Sequence, residues 1–381
     1  MNLFLVTFFL VYGGVHLYTF FKARQAIGFG PLAGTLLALF LAAMVIAPLL
    51  VRSTERHGYE TAARLTAYVG YGWMGFLFLF FSAAMAVDCY RLVLFLAVKV
   101  WHFEPGRLVL SPRAAFYLPL VWGVATSLYG YFEARDIRAD RVVLRSPRIP
   151  REVGKFVVVQ MSDVHLGLIV REERLARMLA LVREANPDLL VVTGDLVDGQ
   201  INGLAGLAEQ FRQITPPYGK YAVTGNHEFY AGIDQALAFE NRAGFTLLRG
   251  DIKPVTAWLT LAGVDDPAYS RVEGKGATAE THLLASLPRD RFTILLKHRP
   301  TAEQTSMDRF DLQLSGHVHK GQIFPFNLVT YLFYPVKAGL TRLGNDSSLY
   351  VSRGTGTWGP PLRFLAPPEV TVIELHPASG E

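Results

Sequence analysis

The chain has 381 residues, long for one compact domain and natural for two. It is 51% hydrophobic with a mean hydropathy of +0.26, high for a soluble protein, and its single cysteine, Cys89, excludes an intrachain disulfide framework. The net charge is +5, but much of the positive charge borders hydrophobic segments and no basic–aromatic stripe accompanies it, so we read it as membrane flanking and expect no nucleic-acid partner.

Residues 1–132 hold only 13 of the 69 Asp, Glu, Lys and Arg residues, which divides the chain into an apolar front and an ordinary globular back. Crossing a bilayer takes about 20 apolar residues. Four stretches without a charged side chain meet that length: Asn2 to Phe21, Pro31 to Val51, Thr66 to Val87 and Ala114 to Phe132. The first lacks a basic leader and further spans follow at once, so it is read as a retained span and not a cleaved signal. His16 is read as a polar residue tolerated between helices. Asp88 and Arg91 are read as the point where the third helix leaves the membrane. Four spans put both termini on one side. That side collects nine basic residues against six on the other, which predicts an integral protein of a bacterial inner membrane with its globular part in the cytoplasm. Residues 133–152 read as a basic linker, and 153–381 as the globular domain.

Beyond Glu152, short apolar runs alternate with helical periodicity. Phe156 to Gln160, Asp188 to Thr193, Tyr221 to Thr224 and Phe292 to Leu296 read as buried strands. Leu312 to Leu314, Ser348 to Val351 and Val370 to Glu374 read as further strands, and Glu172 to Glu184 as an amphipathic helix. Polar residues gather where these strands end: Ser162-Asp163-Val164-His165, Gly194-Asp195-Leu196-Val197-Asp198, Gly225-Asn226-His227-Glu228, Lys297-His298-Arg299-Pro300 and Gly316-His317-Val318-His319. Open α/β sheets place ligands beyond their strand carboxyl ends.

Five of the ten histidines fall in these segments. Asp-x-His and His-x-His on an extended chain turn alternate side chains to one face, where both reach one ion. Imidazole with carboxylate suits Mn, Fe or Zn. The set of ligands exceeds what one catalytic ion takes, so we expect two divalent ions sharing a carboxylate.

This ordered pattern resembles the calcineurin-like metallophosphoesterases, in particular a membrane-anchored bacterial branch. Asp163, His165, Asp195, Asn226, His227, His298, His317 and His319 stand at the motif positions, over residues from about 155 to 375. The resemblance implies one metal on Asp163, His165, Asp195 and His319, and a second on Asp195, Asn226, His298 and His317. It also implies an all-α transmembrane region followed by an α/β catalytic domain, with two β-sheets sandwiched between helices. Gly321-Gln322 and Ser352-Arg353-Gly354 resemble that branch too, whereas Lys320 stands where it often has glycine. Whether Lys320 contacts substrate phosphate is left open.

The activity implied is metal-dependent hydrolysis of a phosphate ester or pyrophosphate. His227 is the candidate acid for the leaving oxygen, and Asp198 either orients it or caps a turn. Arg299 could bind phosphate or close a structural turn. Arg353 and Arg363 flank a glycine-rich stretch that could hold an anionic headgroup. Ile323 to Leu340 is apolar for a segment next to candidate ligands. It either packs inside the domain or seats the site on lipid through Phe324, Phe326 and Phe333. With the spans, this favours a lipid-linked phosphate, compatible with a UDP-2,3-diacylglucosamine-type pyrophosphatase. The alternative is signalling hydrolysis of soluble nucleotides, with the spans as a sensor. No obligate protein partner is evident.

Overall fold

The computed structural model describes residues 3–199, 203–273, 280–336, 338–344 and 346–378. Asn2, the expected start of the first span, and residues 379–381 of the expected globular domain lie outside them. The chain divides into two compact units. One comprises residues 1–132 with 359–364, the other 133–358 with 365–381.

The first unit is built from four helices: α1 (Leu3–Ile27), α2 (Pro31–Arg56), α3 (Glu60–Trp101) and α4 (Pro112–Glu133), the last ending one residue beyond the unit. Among the described residues, α1 from Leu5, α2 and α3 are long and apolar enough to cross a membrane. The stretch expected as a fourth span is helical, but its tyrosines, glycines and Pro119 leave it less apolar than the other three. The third expected span, Thr66 to Val87, lies within a longer helix. The helix itself continues past Asp88 and Arg91: α3 runs unbroken for 42 residues, about 63 Å at 1.5 Å per residue and so well beyond one bilayer core. Asp88 instead accepts hydrogen bonds from Lys22 Nζ at 2.5 Å and Tyr18 Oη at 2.6 Å, which pins α1 to α3. His16 is likewise satisfied between helices. Its Nδ1 donates to the Tyr12 carbonyl and its Nε2 accepts from Trp73 Nε1 at 2.9 Å. Residues 359–364 belong to this unit because Phe364 packs its ring on Trp122 and Tyr129, and the Arg363 amide donates to the Gly130 carbonyl.

The second unit is a two-sheet sandwich. In chain order its elements are β1 (Arg138–Ser146), β2 (Phe156–Met161), α5 (Glu172–Glu184), β3 (Leu189–Thr193), α6 (Ala205–Arg212), β4 (Lys220–Val223), α7 (Asn226–Ala231), α8 (Ile233–Arg242) and β5 (Thr246–Leu247). There follow β6 (Asp251–Pro254), β7 (Leu259–Gly263), α9 (Ala268–Glu273), α10 (Glu280–Ala285), β8 (Phe292–Leu296) and β9 (Leu312–Ser315). The last are α11 (Asn327–Phe333), β10 (Gly339–Arg342), β11 (Ser348–Val351) and β12 (Glu369–Pro377). One sheet has the order β1-β12-β2-β3-β4-β5, the other β10-β11-β9-β8-β7-β6.

Strand alternation builds the core. Phe156 and Val158 of β2 point to the other sheet, against Leu261, Ile294 and Leu314. Val157 and Val159 point outward to Leu175, Met178 and Leu179 of α5 and to Phe211 and Phe239 of α6 and α8. The expected strands and the α5 helix are all present. The expected linker 133–152 is corrected in part, since residues 138–146 form the edge strand β1, paired parallel to β12 from Arg138–Glu369 to Ser146–Pro377.

Candidate metal centre

The five polar segments leave the carboxyl ends of β2, β3, β4, β8 and β9, and the two sheets deliver them to one cleft. The turns are tight. Asp163, His165, Asp195, His317 and His319 all adopt positive φ between 47° and 71°, a region costly for residues with a Cβ and typical of functional sites. Glycine is required where the segments meet. A Cβ at Gly225 would fall on Asp195 Oδ1, and one at Gly316 on Asp163 Oδ2.

The side chains converge. Donor atoms of Asp163, His165 and His319 lie mutually within 4.8 Å, as do those of Asp195, His298 and His317, and those of His165, Asp195 and His227. His165 Nε2 faces His319 Nε2 at 3.1 Å, and His298 Nε2 lies 3.2 Å from Asp195 Oδ2 and 3.1 Å from His317 Nδ1. The outer nitrogens face acceptors. His298 Nδ1 donates to the Thr193 carbonyl at 2.8 Å, and His165 Nδ1 stands 3.3 Å from Asp198 Oδ1. With the proton on Nδ1, each Nε2 turns a lone pair inward, the tautomer a metal ligand requires. Asn226 Oδ1 is buried in the same cleft and accepts no hydrogen bond. Inward lone pairs, an unsatisfied buried carbonyl and buried carboxylates fit a site for divalent cations.

The charges agree. Burial disfavours the imidazolium of His227, but Asp195 and Asp198 outweigh it and raise its pKa to about 10. Burial likewise opposes protonation of His298, and Asp195 overcomes it to reach about 10. His317 is lowered to about 3 by burial and by the neighbouring His298. Burial pushes the carboxyls of Asp163, Asp195 and Asp198 upward, yet their histidine neighbours hold all three below the usual carboxylate range. His227 Nδ1 lies 3.0 Å from both Oδ1 and the main-chain oxygen of Asp198, so this one residue stands against both His227 and His165.

Some expected substrate residues are engaged elsewhere. Arg299 forks onto Asp266 with hydrogen bonds of 2.7 and 3.0 Å, so its guanidinium serves a buried ion pair. Arg353 pairs with Asp140 and Glu369, both on the β1–β12 edge. Arg363 is fully buried. For Arg299 the structural-turn alternative is the one these contacts favour; an arginine's stem and fork serve internal packing as readily as ligands, and the sequence does not distinguish the two. Lys320 stays half-buried beside His319.

Other residues escaped the sequence reading. Buried Glu228 accepts the backbone N–H groups of Asp195, Leu196, Val197 and Gly225, which locks the second and third polar segments together. Its position after Asn226-His227 was the available signal. Ser162 Oγ donates to Asp163 Oδ2 at 2.6 Å. Aromatic rings border the cleft: Tyr230 and Trp358 on His227, and Tyr334 on His317.

Residues 156–321 match the family described as Calcineurin-like phosphoesterase. An uncharacterized metallophosphoesterase of Aquifex aeolicus is 35% identical over 253 residues, 66% of this chain and 97% of that protein. A Danio rerio protein, described as a transmembrane protein with metallophosphoesterase domain, is 32% identical over 274 residues, 68% of this chain and 62% of its own length. A metallophosphoesterase of Campylobacter jejuni is 31% identical over 296 residues, covering 77% of this chain and 78% of that protein. The chain therefore belongs to the calcineurin-like phosphoesterase family. It is a metal-dependent phosphoester hydrolase, and its apolar helices mark it as a membrane protein.

Proposed function

We propose that this enzyme hydrolyses a lipid-linked phosphate ester or pyrophosphate at a membrane surface, using two divalent ions. Asp163, His165, Asp195 and His319 would hold one ion, and Asp195, Asn226, His298 and His317 the other, with Asp195 shared. Bound divalent ions lower the pKa of a coordinated water and neutralise charge on the phosphoryl oxygens. The chain's own residues do the rest. Asp198 holds Nδ1 of His227, which leaves Nε2–H to protonate the departing oxygen. Glu228 fixes the backbone that carries Asp195 and Asn226. Lys320 contributes a cation at the rim for the substrate phosphate.

The observation that carries the lipid reading is α11 with the turn before it. Phe324, Phe326, Leu328, Tyr331, Leu332 and Phe333 are all exposed, and Leu332 and Phe333 reach 78% and 72%. No residue of α11 is buried. A soluble face rarely shows so large an apolar run, whereas an interfacial segment needs one. Together with the membrane helices, this supports a bilayer as partner; the placing of the catalytic unit on the cytoplasmic side of a bacterial inner membrane rests on the basic-residue count alone.

The test is phosphate release by the detergent-purified protein with Mn²⁺ on lipid-linked and soluble phosphate compounds, beside Asp195→Asn. Activity concentrated on the lipid-linked compounds and lost in the variant supports the reading. Equal activity on soluble nucleotides would replace it with a signalling hydrolase.

A further inference from the structure

Two exposed aromatic side chains stand on the candidate acid and have no part in the chemistry so far. Tyr230, at the end of α7, is 61% exposed, and its ring lies 5.6 Å from that of His227. Trp358 is 52% exposed and lies 6.0 Å from the same ring. Large aromatics left in water beside a reactive group mark a surface that something covers.

Trp358 is held in place. The Gln322 side chain donates through Nε2 to the Trp358 carbonyl at 2.8 Å and accepts the Trp358 N–H through Oε1 at 2.9 Å. Gln322 closes a run of positive-φ residues, His319, Lys320, Gly321 and Gln322, with φ of 47°, 52°, 81° and 56°. The clasp therefore ties Trp358 to the strained segment bearing His317 and His319. Two residues further on, the exposed apolar run begins at Phe324.

The geometry points to Tyr230 and Trp358 as the leaving-group subsite, built for an apolar, lipid-bearing group. His227 protonates the departing oxygen, so whatever departs must lie against the rings that flank His227. The bond between phosphorus and the lipid-side oxygen breaks, and a water oxygen bonds to phosphorus. His227 gives its proton to the lipid-side oxygen and is reprotonated at the expense of that water. Gln322 is a positioning residue that holds Trp358. This inference rests on the lipid-substrate reading above.

The test uses the full chain in detergent with Mn²⁺, in oxygen-18 water. The substrate is a pyrophosphate diester with dodecyl on one phosphorus and methyl on the other, and dimethyl pyrophosphate is the comparator. Label in methyl phosphate is expected, and label in dodecyl phosphate would overturn the assignment. Trp358→Ala and Tyr230→Ala should each cut the dodecyl-over-methyl preference in kcat/KM on the order of tenfold, with Trp358→Phe and Tyr230→Phe restoring most of it. Equal losses on both substrates would make the rings structural and sink the subsite. A parent enzyme with no dodecyl preference would overturn the lipid reading itself. A third substrate carries a nucleoside in place of dodecyl; if it is preferred and Trp358→Ala removes that preference, the wall holds a planar base and the lipid assignment falls.

Discussion

His227 shows how the smallest scale sets the chemistry. Its protonation depends on Asp195 and Asp198 and not on burial, which opposes it. His227→Gln should lower kcat by about 10²- to 10⁴-fold on an alkyl ester, the range for a lost general acid. The loss should be far smaller on a p-nitrophenyl ester, whose leaving group needs no proton, and steady-state kinetics on the pair checks this. Glu240 of α8 gives a stability counterpart. It is fully buried and neither of its side-chain oxygens has a partner. Burial, with the Glu228 charge adding, raises its pKa well above the usual value. The folded chain then keeps a proton that the unfolded chain releases above about pH 4.3, so Glu240 costs stability increasingly as pH rises through that value. Glu240→Met should raise the melting temperature, and by more at pH 8 than at pH 5; a scan of both proteins at both pH values decides. The convergence of the candidate metal ligands was legible because histidine and aspartate recur beside glycine at strand ends. Arg299, Arg353 and Arg363 were not, because a buried partner such as Asp266 lies 33 residues away in sequence.

At the scale of elements, the tight turns carry the geometry. Gly225→Ala would drive a methyl group onto Asp195, so activity and Mn²⁺ binding should both fall steeply while far-ultraviolet circular dichroism stays that of the parent. The α11 segment makes the complementary prediction. Phe324, Phe326 and Phe333 changed together to Ser should lower activity on lipid in vesicles at least about tenfold more than on p-nitrophenyl phosphate, since each loses burial of an aromatic ring in the interface. Equal losses would mean that the segment supports the fold alone. Central strands such as β2, β3 and β8 were readable because both faces are buried, leaving continuous apolar runs. The edge strand β1 was not, because its outward arginines leave it mostly exposed and make it read as a linker. Strand β10, half-exposed at the other sheet's edge, escaped for a related reason.

For the whole molecule, metal binding and folding should be linked. Candidate ligands on five loops from both sheets come together only in the folded chain, so ions that bind there would stabilise the catalytic unit by about 2.7 kcal/mol at a hundredfold excess over Kd. Chelation should therefore lower its melting temperature, Mn²⁺ should restore it, and Asp195→Asn should abolish the shift in a calorimetric scan. The amino-acid sequence by itself determined the apolar front, the strand-and-helix alternation of the back and the candidate metal-ligand set. These are properties of local composition and spacing, set by hydrophobic periodicity and by the donor chemistry of each side chain. Only the tertiary structure decided which polar groups are already taken. Arg299 is bound to Asp266, Glu228 to four backbone amides, Asp198 to two histidines, and Trp358 to Gln322. Those pairings join residues far apart in the chain, and they arise only when packing closes the two sheets on each other and fixes the loops that leave them.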